Sequence, residues 1–429
     1  MTPYPEYKAT NLPWLPQIPA HWDWLMLSQL TEEQCVKNIG CLENNVLSLS
    51  YGNIVRKKNI YSGLSPQDFA TYQIVYQDNI ILRLTDLQND HRSLRTGLVK
   101  EKGIITSAYT CLKVHSNASF VHYLLHAYDL RKVFYGMGGG VRQSIGFKDI
   151  RSLRFPVAPV AEQEQIVRYL DSMTAKINKL IRAKKKQIAL LQEQKQAIIN
   201  QAVTKGLNPD AEMKDSGIDW LGQIPAHWEV KKAKYCVNIN HGSDPVTEGN
   251  VPVYGSGAGS FKTCGEFKEG PAVLVGRKGA TLHIPHYITG KYWNVDTAFD
   301  VKAKKNFFLH FYYFLATCFD YHFYISQTTL PSMTQTDYLN MKLPVPPQKE
   351  QYDIIQYLVM QDEKFDNLIA EIKNIINSLF EYKNSLIACV VTGQVDVRNI
   401  QVEDFDPADL ISETDDNPAE EESTEESEE

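Results

Sequence analysis

The nine residues 14–22 (WLPQIPAHW) return at 220–228 as WLGQIPAHW, an offset of 206. A second pair follows: Phe155-Pro156-Val157-Ala158-Pro159 with Glu162-Gln163 returns as Leu343-Pro344-Val345-Pro346-Pro347 with Glu350-Gln351, at an offset of 188. An internal repeat restricts the possible folds more than any other local signal. This period is far too long for a solenoid, so one large unit is used twice, and the first copy carries 18 more residues between its markers. Residues 120–123 (FVHY) are echoed at 308–311 (FLHF), again offset by 188, so most of the extra length falls before residue 108.

The second marker of each copy leads into a long periodic stretch. After Pro156 and Pro159 the spacing predicts a helix over 161–203, with Glu162 in its first turn where a carboxylate suits the helix dipole. Its apolar residues are Ile166, Leu170, Met173, Ile177, Ile181, Ile188, Leu191, Ile198 and Ala202, with Lys184 and Lys195 on two seam positions. A second helix is predicted over 349–391, with Ile354, Leu358, Phe365, Ile369, Ile372, Ile376, Leu379, Leu386 and Val390 in the same register and Lys383 matching Lys195. At ~1.5 Å per residue each would span roughly 60 Å, too long for a compact core. A heptad-like stripe of that length wants an equally long partner, so the two helices are expected to pair antiparallel about a pseudo-twofold axis. The remainder reads as mixed structure: short strands near 79–84 and 103–106, a helix over 120–134, and a loop at the glycine-rich 136–140. The expected class is α+β, with two globular units separated by two long antiparallel coiled-coil helices in an internal pseudo-twofold repeat.

Charge matters once the chain is divided. The net charge is −7, but residues 403–429 hold 14 acidic and no basic residues, so residues 1–402 carry about +7. A basic body with an acidic tail fits a polyanion binder, and equally an ordinary surface imbalance. The tail composition predicts disorder. Seven cysteines without a CxxC pair read as reduced thiols, with no metal site. No run of about 18 apolar residues is present and the N-terminus lacks a signal pattern, so a cytoplasmic protein is expected.

Catalytic constellations are poor. Gly255-Ser256-Gly257-Ala258-Gly259 lacks the strand, helix and acid of a cofactor loop. Asp210, Glu212 and Lys214 mimic a nuclease set but crowd into one linker. No methyltransferase base-flipping box is present. His21 and His227, each between proline and tryptophan, read as parts of a packed corner. Binding chemistry remains. Arginine and lysine can meet phosphates or guanine edges, while serine and glutamine can read other base edges. The candidates are Lys57, Lys58, Arg83, Arg92, Arg95, Gly139, Arg142 and Gln143 in the first unit, and Tyr254, Ser256, Arg277, Lys278, Ser332 and Gln335 in the second, with Lys291 nearby in sequence.

The repeated markers, the linker Val203-Thr204-Lys205-Gly206-Leu207 through Met213-Lys214-Asp215-Ser216-Gly217, and the two proline-rich helix starts together resemble the specificity subunits of type I restriction-modification systems. Departures are small: Pro13 and Pro16 stand where the second copy has Asp219 and Gly222, and Ala158 where it has Pro346. The resemblance implies a non-catalytic, sequence-specific DNA-binding protein of prokaryotic antiviral defence. Two target recognition domains would read a bipartite asymmetric site, and the helices would set the gap between its halves. Boundaries follow: a first recognition domain at 1–154, a spacer helix at 155–206, linker and second recognition domain at 207–342, a second spacer helix at 343–395 and a disordered acidic tail at 396–429. Implied partners are double-stranded DNA, two methyltransferase subunits and restriction-translocase subunits. S-adenosylmethionine, ATP and Mg belong to those partners, and this chain holds no cofactor or metal. Ile177, Ile181, Ile188, Leu191, Ile198, Phe365, Ile369, Ile376, Leu379 and Leu386 are the candidates for helix pairing and methyltransferase docking. The rival readings are a solitary nuclease or methyltransferase with helical spacers, and a coiled-coil adaptor that does not touch DNA.

Overall fold

The structure is a computed structural model and describes residues 2–50, 52–57, 69–85, 87, 94–137, 145–218, 220–257, 259–325 and 331–410. Its two dominant elements are the expected long helices, Val160–Lys205 and Gln348–Val391. The chain divides into two compact units. The first is residues 1–185 with 373–429, and the second is residues 186–372. The division cuts both long helices, so each unit contains the start of one and the end of the other.

In the first unit the marker forms the hairpin Tyr7–Leu12/Leu15–Pro19, with Tyr7 opposite Pro19. Asp23–Met26 then pairs antiparallel with Arg154–Val157, the strand that feeds the first long helix. Between them lies a six-stranded sheet in the order Thr31–Gln34, Thr110–Val114, Ile80–Leu82, Thr96–Leu98, Asn53–Arg56, Leu47–Ser50, beside a three-stranded one. Ile80, Ile81 and Leu82 are all buried, as expected for a central apolar strand covered on both faces. Asn117 caps the helix Ala118–Leu130 by accepting from the Phe120 N–H at 3.0 Å. That helix stops short of the predicted 134 because Lys132 is left-handed, with φ of 56°. A 3-10 turn, Val133–Gly136, follows where the glycine loop was expected to begin. The Tyr123 hydroxyl donates to Asp171 at 2.7 Å and ties this helix to the first long one.

The second unit repeats the frame and changes the filling. Met213–Asp215 and Gln223–Pro225 form a hairpin with Met213 opposite Pro225, the first unit's register displaced by 206 residues. Glu229–Lys232 pairs with Lys342–Val345 as Asp23–Met26 does with Arg154–Val157. The enclosed sheets differ. One runs Val237–His241, Ala298–Ala303, Ala272–Gly276, His286–Ile288, and the other Ser260–Cys264, Val251–Tyr254, Lys291–Asn294, Lys268–Glu269. Trp14 meets Tyr128 edge-on at 4.6 Å in the first unit, and Trp220 meets Phe319 at 5.8 Å in the second.

The markers build one corner in each unit. In the first, the Glu162 carboxylate sits in the opening turn of the long helix, where backbone N–H groups lack intrahelical acceptors. His21 Nε2 lies 2.9 Å from its Oε2, and Trp22 Nε1 donates to its Oε1 at 3.0 Å. Tyr4 also donates to Oε1, and burial first, then that hydrogen bond, pushes its phenol well above the usual tyrosine range. In the second unit His227 Nε2 lies 2.8 Å from Glu350 Oε2. Gln163 and Gln351 donate to the carbonyls of Ala158 and Pro346 at 2.7 and 2.9 Å, closing the proline turn ahead of each helix. Lys8 and Lys214 donate to the carbonyls of Trp22 and Trp228, so Lys214 belongs to a structural corner. The other long helix ends against each corner in a left-handed glycine, Gly393 in the first unit and Gly206 in the second, both with φ of 75°.

Each unit thus holds an antiparallel pair of helix segments. In the second, Gly206 lies beside Glu350 while Lys195 bonds Asp366 at 2.7 Å and lies 3.3 Å from Asp362. In the first, Gly393 lies beside Trp22 while Lys383 donates to Asn178 at 3.1 Å. Asp366 and Asn178 occupy equivalent positions, 188 residues apart, so the two seam lysines are accommodated differently. Burial would push Lys195 down, but its hydrogen bond to Asp366 and the charge of Asp362 raise its pKa instead. Lys383 has no such carboxylate at Asn178, and burial lowers its pKa to about 8. Ile177, Ile181, Ile376 and Leu386 are buried in the first unit and Phe365 and Ile369 in the second, while Ile188, Leu191, Ile198 and Leu379 are half-buried. This burial makes the stripe a helix-pairing surface.

One expectation changes. The disordered tail was placed from 396, but residues 396–410 pack against the first long helix, with Val397 fully buried and its carbonyl accepting from Gln165 at 3.1 Å. A buried apolar side chain and bonded carbonyls outweigh the acidic composition here.

Two substitution tests follow. At Gly393 an added Cβ would lie 2.4 Å from the Pro19 ring, and at Gly206 2.9 Å from the Glu350 carboxylate. Gly393→Ala should therefore destabilise by about 2–4 kcal/mol and Gly206→Ala by about 1–2, combining left-handed strain with overpacking; urea unfolding checks the order. Lys383→Met addresses the buried amine. Folding lowers that pKa to about 8, so between about pH 8 and 10.5 the unfolded chain holds a proton the folded chain lacks. Its penalty is complete below that window and fades as pH rises through it. Lys383→Met should raise stability at pH 7 by roughly 1–3 kcal/mol and flatten the gain between pH 8 and 10, measured by denaturation at both ends.

Candidate nucleic-acid interface

The second unit gathers its candidates at the strand ends. Ala272–Gly276 is wholly buried and runs out into Arg277-Lys278-Gly279. The neighbouring strand Ala298–Ala303 is preceded by Asp296-Thr297. The Arg277 backbone N–H donates to the Thr297 carbonyl at 2.8 Å. Its guanidinium pairs with the Asp296 carboxylate and reaches the Asp296 carbonyl at 3.3 Å. Lys278 Nζ lies 3.3 Å from the other Asp296 oxygen. Burial opposes ionisation of Asp296, but the Lys278 hydrogen bond and the Arg277 charge hold its carboxyl below the usual range. One carboxylate thus orients two cations, leaving a fixed net positive charge.

Two further segments close on this turn. Lys278 and Ser332 form an antiparallel bridge, with Gly279 N–H donating to Pro331 at 3.0 Å and Met333 N–H to Arg277 at 2.9 Å. Ser256 approaches from the glycine-rich loop. Its Oγ would stand 3.0 Å from a Cβ at Gly279, whose φ of 111° already favours glycine. His286 Nε2 lies 2.7 Å from the Gly257 carbonyl, beside the Tyr254 ring. Tyr254, Ser256, Arg277, Lys278 and Ser332 therefore form one partly exposed patch. Gln335 stands apart: its amide donates to the Ile239 carbonyl at 2.6 Å, so it braces a strand and that N–H is not offered to a base. Lys291 lies on the second sheet, 4.2 Å over the exposed Phe267 ring.

The first unit differs. Lys57 is exposed after the strand Asn53–Arg56, and Arg83 is half-buried after Ile80–Leu82. Arg95 corrects the expectation of a surface cation. It is fully buried, donating to the Tyr135 hydroxyl at 3.0 Å and to the carbonyls of Arg83 and Thr85 at 3.2 and 2.7 Å, while its backbone N–H meets Asp129. A buried guanidinium bonded to three internal acceptors holds a sheet to a helix and is not presented at the surface. Lys58, Arg92, Gly139, Arg142 and Gln143 lie outside the described residues.

Sequence reasoning missed Asp296, a lone acid whose role depends on the neighbouring strand, and Phe261, an exposed ring with Lys262 beside it, 3.7 Å from where a Cβ at Gly255 would stand. Chemically the patch offers guanidinium and ammonium donors, two serine hydroxyls, a phenol and aromatic faces. These suit phosphate contact and base-edge readout. Among the described residues no cluster of His, Cys, Asp and Glu could hold a metal, and no helix is long and apolar enough to cross a membrane.

Comparison with known proteins points the same way. The family model for the type I restriction modification DNA specificity domain matches residues 97–190 and 225–379, more than half of the chain, and each matched segment ends inside a long helix. The chain is 29% identical over 173 residues to the type I restriction enzyme MjaVIII specificity subunit of Methanocaldococcus jannaschii, covering 40% of this chain and 38% of that protein. It is 22% identical over 423 residues to the putative type I restriction enzyme MjaX specificity subunit of the same organism, covering 89% of this chain and 95% of that one. A solved structure from work on complex assembly and conformational transition of a type I R-M system superposes with a TM-score of 0.65 at 14% identity, over 88% of this chain and 99% of that one, a likeness of fold. The chain belongs to the type I restriction modification DNA specificity family.

Proposed function

We propose that this chain is the non-catalytic specificity subunit of a type I restriction-modification complex, reading a bipartite asymmetric DNA target. The observation that carries the reading is the patch of Tyr254, Ser256, Arg277, Lys278 and Ser332 at strand ends, in a frame that occurs twice. Residues 1–154 and 207–342 are the two recognition domains, and 155–206 and 343–395 the spacers between them. The long helices act as one antiparallel coiled-coil ruler under a pseudo-twofold relation, so that two modest readers combine their discrimination only at the correct gap. Each mismatched base pair costs about 1–3 kcal/mol, so two readers on a stiff spacer gain what neither has alone.

The helix seam is occupied by its own pairing, so partner proteins must use other faces. Leu180, Ile375 and Tyr382 in the first unit, and Met360 and Leu368 in the second, are exposed apolar residues on the long helices and suit two methyltransferase subunits. Restriction-translocase subunits complete the complex. S-adenosylmethionine, ATP and Mg act in those partners, in a prokaryotic cytoplasm.

Inserting four residues in each long helix adds about 6 Å, close to two base-pair rises. The gap should then widen while both half-sites stay the same, as read by mapping methylated adenines in host DNA. Unchanged spacing refutes the ruler. Arg277→Ala should weaken target binding by about 1–3 kcal/mol and relax one position of the half-site. A uniform loss on all sequences, with a shallower salt slope, would instead assign Arg277 to a phosphate. Purified chain that cuts or methylates DNA alone would overturn the non-catalytic reading.

A further inference from the structure

Phe261 borders the strand-end patch of the second unit. Its strand, Ser260–Cys264, is the outer member of the second sheet, and the first four residues of that strand are exposed. The register with Val251–Tyr254 slips by one: Val253 faces Lys262, but Tyr254 faces Ser260. Phe261 is therefore the extra residue of a β-bulge, outside the ladder pairing. Bulges re-aim a side chain and recur beside functional sites. The Phe261 ring is 60% exposed, next to the polar Ser260, Lys262 and Thr263. A lone exposed ring is ordinary. A ring re-aimed by a bulge beside two fixed cations is not.

Gly255 connects the ring to those cations. A Cβ there would stand 3.7 Å from Phe261 Cε1 and 2.8 Å from Thr297 Oγ1, so a side chain would push the hairpin end away from Thr297. The Thr297 carbonyl accepts the Arg277 N–H at 2.8 Å, and Asp296 next to it orients Arg277 and Lys278. The Val295 N–H donates to the Tyr254 carbonyl at 3.0 Å, tying the same hairpin to the same turn. Lys262 Nζ lies 5.5 Å from the Phe261 ring centroid, within the range of a cation–π contact. Backbone bonds thus hold one apolar ring at the strand end that presents these cations.

Cations and hydroxyls meet phosphates and polar base edges. A phenyl ring does neither. On the major-groove edge of duplex DNA the apolar group is the C5-methyl of thymine. We propose that Phe261 reads a thymine methyl in the half-site bound by the second unit, beside the base or phosphate met by Arg277. This rests on the DNA-binding reading above and names one base within it. Arginine and lysine favour guanine, so an apolar reader adds a preference they lack, for an A·T pair. A polar edge placed against the ring instead loses its water without gaining a hydrogen bond. Burying one methyl is worth about fourfold in affinity.

The probe is a random-sequence duplex library, from which the full-length chain in complex with its methyltransferase subunits selects a target. Each thymine of that target is then replaced in turn by uracil, which lacks only the methyl. One replacement, in one half-site, should cost the unchanged chain about fourfold. At that position Phe261→Ala should bind thymine and uracil duplexes alike, and Phe261→Leu, still apolar, should keep part of the preference. Phe267→Ala is the control. That exposed ring lies three residues beyond Cys264, at the far end of the hairpin from Gly255, and its loss should leave the preference unchanged. A target on which no uracil replacement matters overturns the methyl contact alone. So does a thymine preference that survives Phe261→Ala, or one that Phe267→Ala removes equally. Unchanged base selection with weaker retention of the methyltransferase subunits assigns the ring to a protein surface and refutes the proposal. If the unchanged chain selects no sequence, the DNA-binding reading falls and takes this one with it. Matching thermal melts of the variants separate lost reading from lost folding.

Discussion

A carboxylate in the first turn of each long helix is the interaction on which the rest depends. Glu162 and Glu350 each draw in a marker histidine, within 2.9 and 2.8 Å. Around them meet a hairpin, a proline turn, the start of one helix and the left-handed glycine that ends the other. The helix dipole favours the anion in each first turn, and the fully buried Trp22 and Trp228 pack into the two corners. Without Glu162 the Tyr4 hydroxyl and the Trp22 indole lose their acceptor, a penalty of about 1–3 kcal/mol for each buried group. Because both helix ends and the first strand of the globular part meet there, the same contact sets the angle at which the strands leave the helices in each unit.

The two units share this frame and diverge inside it. The enclosing strand pairs keep their register, whereas the enclosed sheets have six and three strands in one unit and four and four in the other. Even the frame is not copied atom for atom. Trp22 donates to Glu162, while Trp228 Nε1 finds no acceptor among the described residues. Lys195 has two carboxylates and Lys383 an asparagine. The two units thus keep the enclosing strand register while differing in the sheets they enclose and in side-chain partners.

What was legible in the sequence was whatever is periodic or repeated. Both long helices stand within one or two residues of expectation, because a heptad stripe and a proline-bounded start are local signals. The markers were legible as a corner because histidine and tryptophan recur together. Arg95 was misread because a polar neighbourhood resembles a loop; nothing local reveals that two carbonyls and the Tyr135 hydroxyl converge on its guanidinium. The Arg277–Lys278 pair was visible as charge, but Asp296, 19 residues away in sequence from Arg277, enters only through strand pairing. Residues 396–410 were hidden by their composition, since partner carbonyls carry no sequence signature.

The division of the chain also bears on how it matures. The second unit is one uninterrupted stretch, 186–372, whereas the first needs residues 373–429 to return to residues 1–185. During synthesis the second unit therefore has its whole chain before the first does, although the first begins earlier. The N-terminal strands emerge with Pro19 and Trp22 still lacking Gly393, and their corner closes only when the last part of the second helix leaves the ribosome. Birth order and completion order are reversed, so a nascent chain stalled late in translation holds the whole chain of one unit, and it is the second.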